Sequence, residues 1–183
     1  AEFSSNDSHH FDRLLQRIFL LLKNMFAQVQ VLRVFGPGSL HALFFWGFGI
    51  LFIGTLLVMA QVDFTQPVFG WIFLKGTFYK IFSLTLDVAG FVALVMLGGL
   101  LVRRFFIKPD GLDTIRDDYV VHALLFAILV TGFVVEGARM AATELRTNPG
   151  LATFSPIGMF VGKLLPDMTP EALSLLHKTL WWV

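Results

Sequence analysis

The sequence predicts an all-α integral membrane helical bundle: three full spans, a truncated last span and a basic amphipathic surface helix. Three observations carry this. Hydrophobic residues make up 56% of the 183 and charged residues 15%, where a soluble domain carries about 25% charged. Three uncharged or nearly uncharged runs each reach about 20 residues, which at 1.5 Å per residue matches a hydrocarbon core of roughly 30 Å. Basic and acidic residues gather at the ends of those runs, which is the pattern of membrane topology. The net charge of +1 gives no reason to expect a nucleic-acid partner, and the absence of cysteine excludes a disulfide, a thiolate zinc site or an iron–sulfur ligand set in this chain.

Residues 1–10, AEFSSNDSHH, are polar and read as a linker or chain end. Residues 11–35 place Leu14, Leu15, Ile18, Leu22, Met25, Phe26, Val29 and Leu32 at helical spacing, with Arg13, Arg17 and Lys23 between them. Lys23 at mid-length argues against a span, so this basic amphipathic helix is expected to lie along the membrane surface; a soluble core helix is the alternative. Gly36-Pro37-Gly38 breaks it, and Ser39 can cap the next helix.

The first span is expected over 39–62, ended by Gln61, Asp63, Gln66 and Pro67. Residues 64–80 are aromatic-rich, with Trp71 and Tyr79, and suggest an interfacial loop or short re-entrant helix. The second span is expected over 82–102, with Asp87 near its start and Gly90, Gly98 and Gly99 inside, where glycines let helices approach. It stops at Arg103-Arg104, followed by Lys108-Pro109. The third span is expected over 118–138, with His122 near its start, Glu136 near its end and Arg139 just beyond. Residues 143–170 hold Pro149, Pro156, Pro166 and Pro170 with Gly150, Gly158 and Gly162, and are expected to form a compact outer loop. Residues 171–183 start a last helix too short to span, so the rest of that helix, like a span before residue 1, is expected outside this chain. The basic segments 11–35 and 103–118 fall on one side of this topology, which the positive-inside rule makes cytoplasmic in a bacterial or archaeal membrane.

Titratable groups in lipid are costly and point to function. His41 and His122 each lie a few residues into a helix entering from the cytoplasmic side, and His177 lies on a helix entering from the other. Imidazoles at two depths in an apolar bundle suit two stacked b-type haems, each taking axial nitrogen ligands. The bland alternative is that each ring is interfacial and satisfied by water or headgroups. Glu136 and Arg139 are candidates for a quinone pocket, with Glu136 as the proton-handling carboxylate; an i, i+3 pair that neutralises itself is the structural alternative. Asp87 is a weaker candidate for the same task. Thr55, Thr131 and the glycines are expected to serve packing.

The segments Gly38 to Gly47 (GSLHALFFWG) and Gly132 to Arg139 (GFVVEGAR), with LSLLHKTLWW near the end, carry a resemblance. The chain resembles the membrane cytochrome b domain related to the nitrate reductase gamma subunit, as fused to heterodisulfide-reductase-type iron–sulfur modules, a group that includes oxidoreductases linking electron-transfer flavoprotein to menaquinone. The resemblance covers most of 11–183 and implies five spans, one or two b haems, menaquinone as substrate and iron–sulfur clusters only in a partner or fused domain. It implies haem ligation by His41 and His122 and, at a position on the last helix, His177. Thr55 stands where nitrate reductase gamma subunits carry a second histidine on the same helix. A haem-free membrane anchor and a small transporter component are the rival readings.

Overall fold

The computed structural model describes residues 3–109, 115–165 and 168–181 of the chain, which forms two units, residues 1–42 and 43–183. The middle of the expected basic loop 103–118, Pro166 and the final two residues of the last helix lie outside the described residues. Every regular element among those described is helical, as the composition and periodicity predict.

In the first unit, α1 runs Phe3–Ala27 and is exposed at every residue from Arg13 onward. It starts inside the polar stretch 1–10, where no glycine or proline interrupts it. It ends eight residues before the expected boundary because Gln28 turns into the left-handed region (φ 51°) and its side-chain Nε2 donates to the Met25 carbonyl at 2.9 Å. Turns follow to Gly36. A Cβ on Gly38 would collide with the Val31 carbonyl oxygen, so only glycine lets α2 begin there.

Helix α2 (Pro37–Met59) carries on through a π-helical stretch, Ala60–Thr65, into α3 (Gln66–Phe69). Gly70 closes α3 in the left-handed conformation (φ 63°). The aromatic segment after it folds back on the span end: Gln61 Oε1 accepts the Leu74 N–H at 2.6 Å and the Thr65 hydroxyl donates to the Trp71 carbonyl at 3.0 Å. Helix α4 (Gly76–Leu101) therefore starts six residues before the expected span and continues as a π-helical stretch, Val102–Ile107. Helix α5 is Arg116–Ala142, α6 Glu144–Thr147, α7 Pro149–Ala152, α8 Pro156–Leu164 and α9 Pro170–Trp181. Among its described residues the expected outer loop thus holds three short helices, each of the last two opened by a proline at its first turn.

Within the second unit, α2, α4 and α5 run up, down and up. Gly47 faces Ala89 and Ala93, and Gly54 faces Leu86, so α2 and α4 are antiparallel. Gly90 faces Phe133, Arg104 pairs with Asp118 and Tyr79 reaches Glu144, so α4 and α5 are antiparallel as well. Ala93, Leu97 and Leu129 form the dry centre, with Phe44, Phe48, Leu51 and Leu125 packed around it. Helices α8 and α9 pack on the C-terminal half of α5.

Among the described residues, three helices are long and apolar enough to cross a membrane: Pro37–Phe69, Gly76–Ile107 and Arg116–Thr147. At most 28% of the most apolar window of any of them is buried. Most of that surface therefore faces outward, an apolar area far beyond what a protein in water leaves bare.

Candidate functional site

Two groups of polar side chains sit in this apolar frame, one at each end of the α4–α5 pair. The first gathers where α4 ends and α5 begins. Asp118 accepts the Ile115 N–H at 2.9 Å, closing the first turn of α5, and pairs with Arg104. One turn on, His122 places Nδ1 2.6 Å from the Asp118 carbonyl oxygen. A carbonyl can only accept, so Nδ1 carries the hydrogen, and in the neutral ring Nε2 holds the lone pair. Phe105 stands edge-on to the imidazole at 5.7 Å and stacks on Tyr119 at 4.5 Å. The ring is thus held by its neighbours in one orientation.

His177, on α9, repeats the arrangement across helices: its Nδ1 lies 3.2 Å from the Val135 carbonyl oxygen on α5. The same reasoning makes Nε2 its lone-pair nitrogen. Val135 is thirteen residues beyond His122, about 20 Å along the helix axis at 1.5 Å per residue. The two imidazoles therefore sit at different levels of α5 and cannot bind one iron together. His41 is in the second turn of α2, exposed.

The second group surrounds Arg139, one turn past Val135. Its Nε and one terminal nitrogen donate to both oxygens of Glu136, at 3.0 and 2.7 Å. Its other terminal nitrogen donates to Glu144 Oε1 at 2.9 Å. Tyr79 on α4 donates its hydroxyl to that same Oε1 at 2.5 Å. Glu144 is 8% exposed, and its Oε2 makes no hydrogen bond among the described residues.

Below this ion network the same face of α4 carries Ser83 and Asp87. Ser83 and Ser155 share a hydrogen bond of 2.5 Å between their hydroxyls. Ser155 occupies the N-cap position of α8 but spends its hydroxyl there, and the capping falls to Asp87, whose carboxylate accepts the N–H groups of Ile157 and Gly158 at 2.8 and 2.9 Å. The approach is possible because of glycine: a Cβ on Gly158 would lie 2.9 Å from Glu136 Cγ and Met140 Sδ, and one on Gly162 would lie 2.9 Å from the Gly137 carbonyl oxygen.

The structure thus brings Glu136, Arg139 and Asp87 into one region, with His177 at its level and His122 at the far end of α5. Tyr79 and Glu144 belong to the ion network and Ser83 and Ser155 to the pair beside it; the sequence reading named none of them as site residues and placed Tyr79 in an aromatic interfacial segment. Tyr79, Ser83 and Asp87 recur every four residues, a polar stripe on an otherwise apolar helix, and that spacing was the available signal. Thr55 and Thr131 return their hydroxyls to the carbonyls of Leu51 and Ala127 in their own helices.

No group of three or more metal-ligating side chains occurs among the described residues. A b-type haem asks less of the protein: axial nitrogens with a fixed lone pair in an apolar setting. Both His122 and His177 meet that donor requirement, each through an Nδ1–H given to a main-chain carbonyl, the arrangement that orients metal-bound histidines.

No family model matches the chain, and no solved structure matches it. It is 36% identical over 185 residues to EtfAB:quinone oxidoreductase of Syntrophomonas wolfei, a match that takes in 98% of this chain and 25% of that protein. The chain spans about a quarter of the length of this curated relative.

Proposed function

We propose, taking likeness to a quinone oxidoreductase as the premise, that this chain is the membrane part of a quinone-linked electron-transfer system: a cytochrome b-like domain that passes electrons between menaquinone and a cytoplasmic iron–sulfur partner of the heterodisulfide reductase type. The observation that carries it is the shared hydrogen bonding of His122 and His177, two imidazoles with the same fixed tautomer about 20 Å apart along α5. Two such donors at two levels suit two haem positions, with His41 as a third candidate ligand on α2. Haem supplies reversible one-electron chemistry at its iron when bound.

The protein's own residues do the rest. Main-chain carbonyls hold the two rings. Arg139 and Glu136, one turn from the level of His177, present a charged patch to a quinone head group: the guanidinium can donate to a quinone carbonyl while its carboxylate partners keep it in place. Apolar outer surfaces of α2, α4 and α5 leave room for a lipid-soluble substrate to reach the patch from the bilayer. Arg13, Arg17 and Lys23, all exposed on α1, offer a basic surface to the redox partner.

Mixing a reduced naphthoquinol with the oxidised, purified protein tests this reading. Reduction of a b-type absorbance is expected, slowed by Arg139→Gln. A protein that shows no b-type absorbance overturns it in favour of a haem-free anchor, and one whose b-type absorbance naphthoquinol leaves oxidised overturns the quinone link.

A further inference from the structure

We propose that Tyr79 and Glu144 form a proton relay serving the quinone patch, so that Glu144, rather than Glu136, is the carboxylate that exchanges protons with substrate. The proposal rests on the quinone reading above. It starts from how differently the two carboxylates are engaged. Both oxygens of Glu136 are taken up by one guanidinium in a two-pronged ion pair, at 2.7 and 3.0 Å. A proton arriving there weakens both prongs of that ion pair at once. Glu144 shares only Oε1, with Arg139 and with the Tyr79 hydroxyl, and its Oε2 is buried with no hydrogen bond among the described residues. A proton passed along the Tyr79 hydrogen bond arrives at Oε1 in place of the bond that Tyr79 donated, so the carboxyl can take it up and keep its contact with Arg139.

Tyr79 supplies the route. Tyr79 is half-buried while Glu144 is buried, so the phenol is the more accessible of the two hydrogen-bonded groups. Its hydroxyl already donates to Glu144 at 2.5 Å, leaving its oxygen lone pairs to accept. When a hydroquinone is oxidised, its O–H bond breaks and the proton passes to Tyr79 Oη; the Tyr79 O–H bond breaks in the same movement and its proton passes to Glu144. Tyr79 ends as it began, Glu144 is a carboxylic acid, and the substrate is the hydroquinone anion. One electron then leaves the anion for the one-electron carrier proposed above; the second electron and the remaining proton leave in a second pass, after Glu144 has released its first proton to water. Quinone reduction runs the relay backwards. The charged groups that face the relay are Arg139 directly and Glu136 through Arg139.

The test uses the intact membrane protein in lipid nanodiscs, with infrared difference spectra recorded as a short-chain naphthoquinol is oxidised. The wild type is expected to show a protonated-carboxyl band that appears with quinol oxidation. Glu144→Gln should remove that band, and Tyr79→Phe, which keeps the carboxyl and its Arg139 contact, should slow its appearance about 10²-fold, the size of a lost positioned proton acceptor. A band that survives in Glu144→Gln, or forms at wild-type rate in Tyr79→Phe, overturns the relay. Fluorescence-quenching titration with the same naphthoquinone separates the two levels: binding by the wild type with no change in either variant's band defeats the relay alone, while absence of binding defeats the quinone reading with it.

Discussion

Asp87 caps a helix that begins 69 residues later in the chain: its two carboxylate oxygens accept the N–H groups of Ile157 and Gly158 at the start of α8. The local N-cap residue, Ser155, has given its hydroxyl to Ser83, so α4 supplies both the cap and the anchor. Asp87→Asn keeps one acceptor oxygen and turns an amide N–H₂ toward a backbone N–H. A loss of about 1–3 kcal/mol is expected, the range for a buried group left unpaired. The check is the thermal unfolding midpoint in detergent, where an unchanged midpoint would mean that α8 is not held this way.

Arg139 is one cation shared by two carboxylates on the same stretch of chain. Removing it leaves Glu136 and Glu144 facing each other with no counter-charge. Arg139→Gln is expected to destabilise by about 2 kcal/mol, less than the 3–5 kcal/mol of a fully buried pair because the Arg139 and Glu136 side chains are 30% and 34% exposed. Arg139→Lys keeps the charge but not the two-pronged geometry, and should fall between. Equal midpoints for all three proteins would show that the network contributes nothing to the fold.

Close helix packing depends on some glycines and not on others. Gly162→Ala places a methyl 2.9 Å from the Gly137 carbonyl oxygen, a backbone atom that cannot step aside cheaply. An overpacking cost of about 1–3 kcal/mol is expected. Gly98 has nothing within 4 Å of such a methyl, and Gly98→Ala should be neutral or stabilising by up to about 1 kcal/mol, since alanine is the better helix former. Paired unfolding measurements of the two variants distinguish contact glycines from bystanders.

These cases show what the sequence could and could not disclose. The spans were legible because uninterrupted apolar length is a local property, written in 39–62, 82–102 and 118–138. Helix ends moved where local backbone conformation decided them: Gln28 in the left-handed region cut the surface helix α1 short, and π-helical stretches lengthened the first two spans. The Glu136–Arg139 pair was legible from its i, i+3 spacing. Glu144 was not, because its meaning comes from Tyr79, 65 residues earlier on another helix. The pairing of Asp87 with α8 was hidden for the same reason. The histidines were legible as costly residues in apolar helices; the Asp118 carbonyl lies one turn before His122 on the same helix, but the Val135 carbonyl that fixes His177 became visible only once α9 was packed on α5.

The histidines can be tested without any quinone. The measurement is the dithionite-reduced minus oxidised absorbance spectrum of the purified, intact protein, titrated against potential, for the wild type and for His122→Ala and His177→Ala. A b-type spectrum with two components is expected, one lost with each variant while the other keeps its potential. A colourless wild type, or variants whose spectra and potentials match it, would contradict haem ligation by these rings and leave a membrane anchor in its place.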